Sequence, residues 1–231
     1  ACHLSLAWDW RVDRDCRLRV EPYVQYLYSV PTVPGTTLSF VNLQGGDDWF
    51  LAERLTNDGR GLNCGVDITF ERFLARGFYY MATASLFDAR YRTADGSWFD
   101  TRYNRHYVLN VLAGKEWMLG RGRRNMLGVN GRVTFQGGDR YSPIDGEASA
   151  ALHTAVYDGS RPFTEQFEPV LLAHLTVSYR INRRRVAHEF ALKVLNLTGY
   201  RDYYGHRYNY LSGQVEPERE ANIVPNISYR I

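Results

Sequence analysis

The chain has 231 residues, 45% of them hydrophobic and 14% aromatic, with a formal net charge of +3. That length suits one large all-β unit or two small domains, and so mild a charge implies no nucleic-acid partner. No run of about 18 apolar residues occurs, which excludes a transmembrane helix but not a spanning β-barrel, where only alternate residues face lipid.

Taken in order, the chain reads as a series of strands with one apolar and one polar face. Leu4, Leu6, Trp8, Trp10 and Val12 alternate with Ser5, Ala7, Asp9 and Arg11, then 13–15 turns the chain. A second strand sets Leu18, Val20, Pro22, Val24, Tyr26 and Tyr28 against Arg17, Arg19, Glu21, Tyr23 and Gln25. Pro22 counts against a central position, since it cannot donate to a ladder. Residues 29–57, with Pro31, Pro34 and the Gly45, Gly46, Asp47, Asp48 run, read as a loop with a short hairpin in it. A third strand carries Cys64, Val66, Ile68 and Phe70 opposite Asn63, Gly65, Asp67, Thr69 and Glu71; a fourth, after a turn at 74–77, carries Phe78, Tyr80, Ala82, Ala84 and Leu86.

Residues 93–103 form a second loop. The fifth strand offers Tyr107, Leu109, Val111, Ala113 and Trp117, and the sixth, beyond a turn at 120–124, Leu127, Val129, Val133 and Phe135. The third loop, 137–169, is the longest. The clearest hairpin follows: Leu171, Ala173, Leu175, Val177, Tyr179 and Ile181 face one way and His174, Thr176, Ser178 and Arg180 the other. After a turn at 182–185 come Phe190, Leu192 and Val194 against Ala187, Glu189, Ala191 and Lys193. A fourth loop, 198–220, precedes a ninth strand bearing Ile223, Pro225, Ile227, Tyr229 and Ile231. The three cysteines, Cys2, Cys16 and Cys64, are too scattered for a disulfide framework or a zinc site and are expected to be unpaired.

Which solvent the apolar rows meet decides the fold. A soluble sandwich buries them; a membrane barrel turns them to lipid and encloses the polar rows. Strands of about ten residues, aromatics near strand ends (Trp8, Trp10, Tyr26, Tyr28, Phe70, Phe78, Tyr107, Trp117, Phe135, Tyr179) and regular alternation of short turns with long loops all favour the barrel. On that reading Leu171, Leu175, Val177, Phe190, Leu192 and Val194 face lipid. His174, Thr176, Arg180, Glu189, Lys193, Asp67, Glu71 and Arg132 face the lumen, where a ladder of opposite charges explains the carboxylates.

Several stretches carry a family likeness. NRHYVLNVLAGKEW from Asn104, GVNGRVTFQGGDRYSPID from Gly128, VSYRINRRRVAHEFALK from Val177, and LNLTGY, RYNYLSGQVEPE and PNISYRI near the end resemble the C-terminal barrel of TonB-dependent outer-membrane receptors of the Bacteroidetes type. RGLNCGVDITFE from Arg60 resembles the family's approach to a periplasmic turn. The resemblance begins near residue 55; the first fifty residues fit by strand pattern alone. It implies an all-β, antiparallel up-and-down transmembrane β-barrel segment, about nine strands of a barrel of about 22. The family implies active import of an iron chelate, cobalamin, glycan or peptide, with outer-membrane lipid, an N-terminal plug, the remaining barrel, the TonB complex and a surface lipoprotein as partners. The chain is expected to be a piece of a longer protein in the outer membrane of a Gram-negative bacterium, its ninth strand pairing with a first strand outside this sequence.

No catalytic, cofactor or metal site is read. His106, His174 and His188 are isolated on separate strands without ligand spacing. Ligand contact is expected instead from the long loops. In the fourth, Tyr200, Arg201, Tyr203, Tyr204, His206, Arg207, Tyr208 and Tyr210 mix flat rings with fork donors; in the third, Arg140, Tyr141, Asp145 and Arg161 do the same. Rival readings are a passive porin-like barrel and a soluble β-sandwich binding carbohydrate.

Overall fold

A computed structural model describes residues 1–42 and 53–231. The Gly45 to Asp48 run expected in the first loop lies outside the described residues. The fold is all-β and antiparallel. Eleven strands form one sheet in the order β1 (Cys2–Ser5), β3 (Cys16–Thr32), β4 (Thr56–Ala75), β5 (Phe78–Arg92), β7 (Tyr107–Leu119), β8 (Asn125–Gln136), β11 (Val170–Asn182), β12 (Ala187–Leu195) and β15 (Val224–Arg230). Two short strands share positions in it: β2 (Trp8–Arg11) follows β1 against β3, and β6 (Trp98–Asp100) lies beyond β7 against β5. Each long strand thus pairs with its neighbour in sequence. Among the described residues the sheet is open, with β1 and β2 at one edge and β15 at the other.

The first expected strand is divided, and Pro22 explains the division. Ser5 pairs with Tyr23 and Trp8 with Val20, so the register runs on unbroken from β1 to β2. At the missing step Leu6 N–H donates to the Pro22 carbonyl (3.1 Å), but Pro22 has no N–H to return. Contrary to the sequence reading, Pro22 sits in a central strand. Its nitrogen shares the Leu6 side with its carbonyl, so the pairing with Val66 of β4 is spared.

The long loops also hold more structure than expected. β3 runs on to Thr32 and β4 starts at Thr56, with a 3-10 turn at Phe40–Asn42 between them. The 137–169 stretch contains β9 (Arg140–Tyr141) paired with β10 (Glu165–Gln166), and the helix α1 (Gly146–Leu152), capped by the Asp145 carboxylate accepting from Ala148 N–H. The 198–220 stretch is a hairpin of β13 (Asp202–Asn209) and β14 (Gln214–Glu220). The short turns match expectation: Arg76 and Gly77 both have positive φ (54° and 75°), the two-residue hairpin geometry that follows strand twist.

Directly paired residues share a face, so register tests the face assignments. Leu171 opposes Phe135, Leu175 opposes Val194, Val177 opposes Val129 and Leu192, and Leu192 in turn opposes Ile227. The same row continues through Val133, Val111, Ala82, Phe70 and Leu18 to Trp10. One apolar band therefore crosses the whole sheet, through residues 18–26, 62–70, 78–86, 109–117, 127–135 and 171–179, interrupted by Lys115 near its lower margin. No described element covers it: Val111 is 50% exposed, Phe190 49% and Ile227 84%. Among the described residues the buried hydrophobics, Val33, Tyr91 and Val170, all lie at the end where the long connections gather.

Candidate ligand-contact site in the long connections

The gathered connections are built on a polar knot. Asn104, fully buried, donates through Nδ2 to Asp88 (2.8 Å) and Asp100 (2.7 Å), and accepts from Ala89 N–H at Oδ1 (3.0 Å). This ties the end of β5 to the connection before β7. Arg140 of β9 closes over it. Its Nε donates to the Asn104 carbonyl (3.0 Å), its Nη1 meets Asp100 (3.2 Å) and donates to the Phe163 carbonyl (3.3 Å), and its Nη2 faces His106 Nε2 (2.8 Å). The guanidinium is thus engaged within the protein. Tyr91, fully buried beneath, packs on Phe99 and Phe163 and donates to the Thr37 carbonyl (3.0 Å).

Above the knot, aromatic rings join the third and fourth connections. Tyr141 stacks on Phe167 (4.3 Å), Phe167 on Tyr203 (4.1 Å), and the Arg219 guanidinium lies over Tyr203 (4.1 Å). His206 packs beside Tyr141 (4.7 Å) and Phe167 (5.4 Å), and its Nδ1 meets the Tyr157 hydroxyl (3.3 Å). Burial holds His206 below its ordinary pKa and pushes Tyr157 up. Tyr203 is pushed to about 12, by burial first and then by its hydrogen bond to Glu168. The column is therefore neutral near pH 7 apart from the Arg219–Glu168 pair (3.3 Å) at its end.

A cavity of ≈ 290 Å³ opens beside the column, lined by Arg102, Arg140, Tyr141, Ser142, Tyr157, Phe163, Phe167, Tyr204 and Gly205. Tyr204 reaches it because of a bulge. Tyr203 pairs with Arg219 and Gly205 with Glu218, so Tyr204 is an extra residue thrown outward, with Gly205 at φ 131° taking up the bend. The lining includes two arginines and no acidic residue; Arg102 lies over the Tyr103 ring (5.6 Å) and makes only a long contact to Asp139 (3.9 Å). Flat walls with a few polar groups suit a ring-shaped ligand. A wider hollow of ≈ 680 Å³ lies towards the hairpin tip, where His153 packs on Tyr208 (5.5 Å) and Tyr210 (6.0 Å) with Arg207 beside them.

The predicted residues divide accordingly. Arg140, Tyr141, Tyr204 and His206 converge on the aromatic column and its cavity; Tyr203 is inside the column; Arg207, Tyr208 and Tyr210 form the second hollow. Asp145 caps α1. Arg161 braces a turn, pairing with Asp158 (2.8 Å), whose carboxyl is drawn down to about 2 by the Ser160 hydroxyl and then by Arg161. Tyr200 is held by its backbone to Asn196, and Arg201 is exposed outside both hollows. Phe167, Glu168, Arg219 and Arg102 were missed. They stand singly among charged and turn residues, and only tertiary stacking brings them to the site. Comparison with protein-family models, with curated proteins and with solved structures returns no match.

Proposed function

We propose that this chain is a wall segment of an outer-membrane β-barrel that imports a scarce ligand, of the TonB-dependent receptor type its sequence resembles. One observation carries the reading: the apolar band that crosses every long strand in register and has no covering layer among the described residues. Its height on each strand is close to the roughly nine to eleven residues a tilted strand needs to cross hydrocarbon. A soluble sandwich would bury such a band against a second sheet.

Further features support the same reading. At the turn margin aromatic rings line the band: Trp8 on Trp10 (6.0 Å), Tyr80 between Phe70 (5.7 Å) and Phe78 (5.8 Å), and Phe190 on Tyr229 (4.8 Å). Rings of that kind anchor barrels at the interface. Along β7, Leu109, Val111 and Trp117 are exposed while Asn110, Leu112 and Glu116 are half-buried, so the polar face is the more crowded one, as inside a curved wall. Tyr79 lies over Gly114 there, where a Cβ would come within 2.4 Å of its ring.

The edge strands β1 and β15 run in the same direction, because directions alternate across nine positions. An up-and-down barrel closed on this wall needs an odd number of further strands, and about 13 would complete a wall of about 22. In this reading the polar face lines a lumen that holds a plug, the TonB complex drives transport through that plug, and the aromatic hollows meet ligand outside, with or without a surface lipoprotein. The test is fractionation of the native host. The whole protein should pellet with outer membranes, resist extraction by carbonate, and run faster on cold than on boiled SDS gels. A monodisperse, detergent-free particle would overturn the reading.

A further inference from the structure

The polar face carries two kinds of charge. Towards the short turns cations and carboxylates stand side by side. Arg17 pairs with Asp9 and Arg19 with Glu21, and Arg180 stands opposite Glu189, which stands opposite Arg230. Towards the long connections β8, β11 and β12 present Arg132, His174 and Lys193.

Register places these three together. Arg132 is directly opposite His174, and Lys193 is opposite Thr176, the next residue on the same face of β11. Directly opposed side chains stand about 5 Å apart and diagonal ones about 7–8 Å, so the three groups form one patch. Neither Arg132 nor Lys193 makes an ion pair with a described residue. On the strands that flank them, Glu116 and Glu189 stand four positions along, roughly 13 Å away at strand rise.

His174 supplies the deciding detail. Asn196 N–H donates to its Nδ1 (3.3 Å), so the neutral ring carries its proton on Nε2. That Nε2 is buried and has no hydrogen-bond partner among the described residues. Buried donors in folded proteins are nearly always satisfied, and an orphan needs a reason. The patch thus offers a guanidinium, an ammonium and a buried ring N–H, with no acceptor for any of them among the described residues.

We infer that this patch binds an oxyanion, a carboxylate or phosphate group held between Arg132 and Lys193 and accepting from His174 Nε2–H. Charge-assisted hydrogen bonds from donors on three adjacent strands suit such a group, whereas a neutral hydroxyl would leave two cations unmatched. The inference rests on register and hydrogen bonding and stands apart from the membrane setting. The oxyanion can come from free solute or from an acidic side chain elsewhere in the same polypeptide docked on this face.

The test uses the whole purified protein, in whatever detergent or buffer keeps it monodisperse. Calorimetric titration with inorganic phosphate is run on the wild type, Arg132→Ala, Lys193→Ala and Arg180→Ala, the last removing a cation of the same face that stands opposite Glu189. A high-resolution structure is determined in phosphate buffer. For a free solute, phosphate binds saturably, loss of Arg132 or Lys193 weakens binding about tenfold or more, and loss of Arg180 leaves it unchanged. For a docked side chain, phosphate does not bind and an aspartate or glutamate of the same polypeptide occupies the patch. Either result supports the inference. A patch holding neither phosphate nor carboxylate, or equal loss from Arg180→Ala, overturns it. The wild-type structure decides alone if a variant fails to fold.

Discussion

Asn196 holds the start of the fourth connection by its own side chain. At φ 52° it turns the chain out of β12; its Oδ1 accepts from Tyr200 N–H (2.9 Å) and its Nδ2 donates to the Tyr200 carbonyl (2.8 Å). Asparagine tolerates this left-handed conformation because its short amide bonds locally. Asn196→Ala removes both bonds and leaves the Tyr200 N–H without its acceptor, so a loss of about 1–2 kcal/mol is expected, measured by chemical denaturation. Sequence shows an asparagine ahead of Leu-Thr-Gly but not where its amide points. His206 offers a pH test. Its folded pKa lies below the ordinary 6.5 because it is buried, so the unfolded state binds the extra proton first. The stability it gives is fully present above pH 6.5 and falls as pH drops through the folded value. Limited proteolysis within 202–220 should therefore be faster at pH 5 than at pH 7.5, and His206→Phe should flatten that difference. An unchanged profile in the variant would assign the effect elsewhere.

Among elements, the strands of the large sheet were legible and the connections were not. A half-buried strand writes its own period-two pattern, and each wall strand has one: Leu175, Val177 and Tyr179 alternate with Thr176, Ser178 and Arg180 whatever their partners. The β9–β10 pair has two residues a side, too few to show a period. α1 carried a readable signal, since Asp145 is a good cap and Ala148, Ala150 and Ala151 favour helix, but its single short run lay inside a stretch rich in turn residues. The β13–β14 hairpin was hidden because its tyrosines fall on both faces. Phe167 joins these elements by stacking on Tyr141 and Tyr203 at once. Phe167→Ala should cost about 1–2 kcal/mol for a half-buried ring and release the hairpin selectively. Hydrogen exchange should rise across 202–220 and stay slow in β11 and β12; uniform loss of protection would mean the hairpin is not held by this ring.

For the whole molecule, the physical question is which face bears water. Val177→Asp and Phe190→Asp put a carboxylate in the apolar band, costing on the order of 2–4 kcal/mol if that band meets lipid. Thr176→Asp changes the opposite face, beside Lys193. Outer-membrane assembly of the whole protein, followed by cold-gel mobility, should fail for the first two and persist for the third. Equal damage from all three would refute the assigned faces. The pairing of sequence neighbours also bears on how the sheet comes together. Adjacent hairpins can zip as soon as each is synthesised, because a short turn costs little chain entropy to close. Strands joined by the long connections must wait, and β8 and β11 face the longest of them: the chain must first gather the whole of 137–169, helix included, before Val129 can meet Val177. That join is therefore expected to be the slowest in the sheet, and an excision that shortens the segment without touching Phe167 should speed its formation while leaving the finished ladder unchanged.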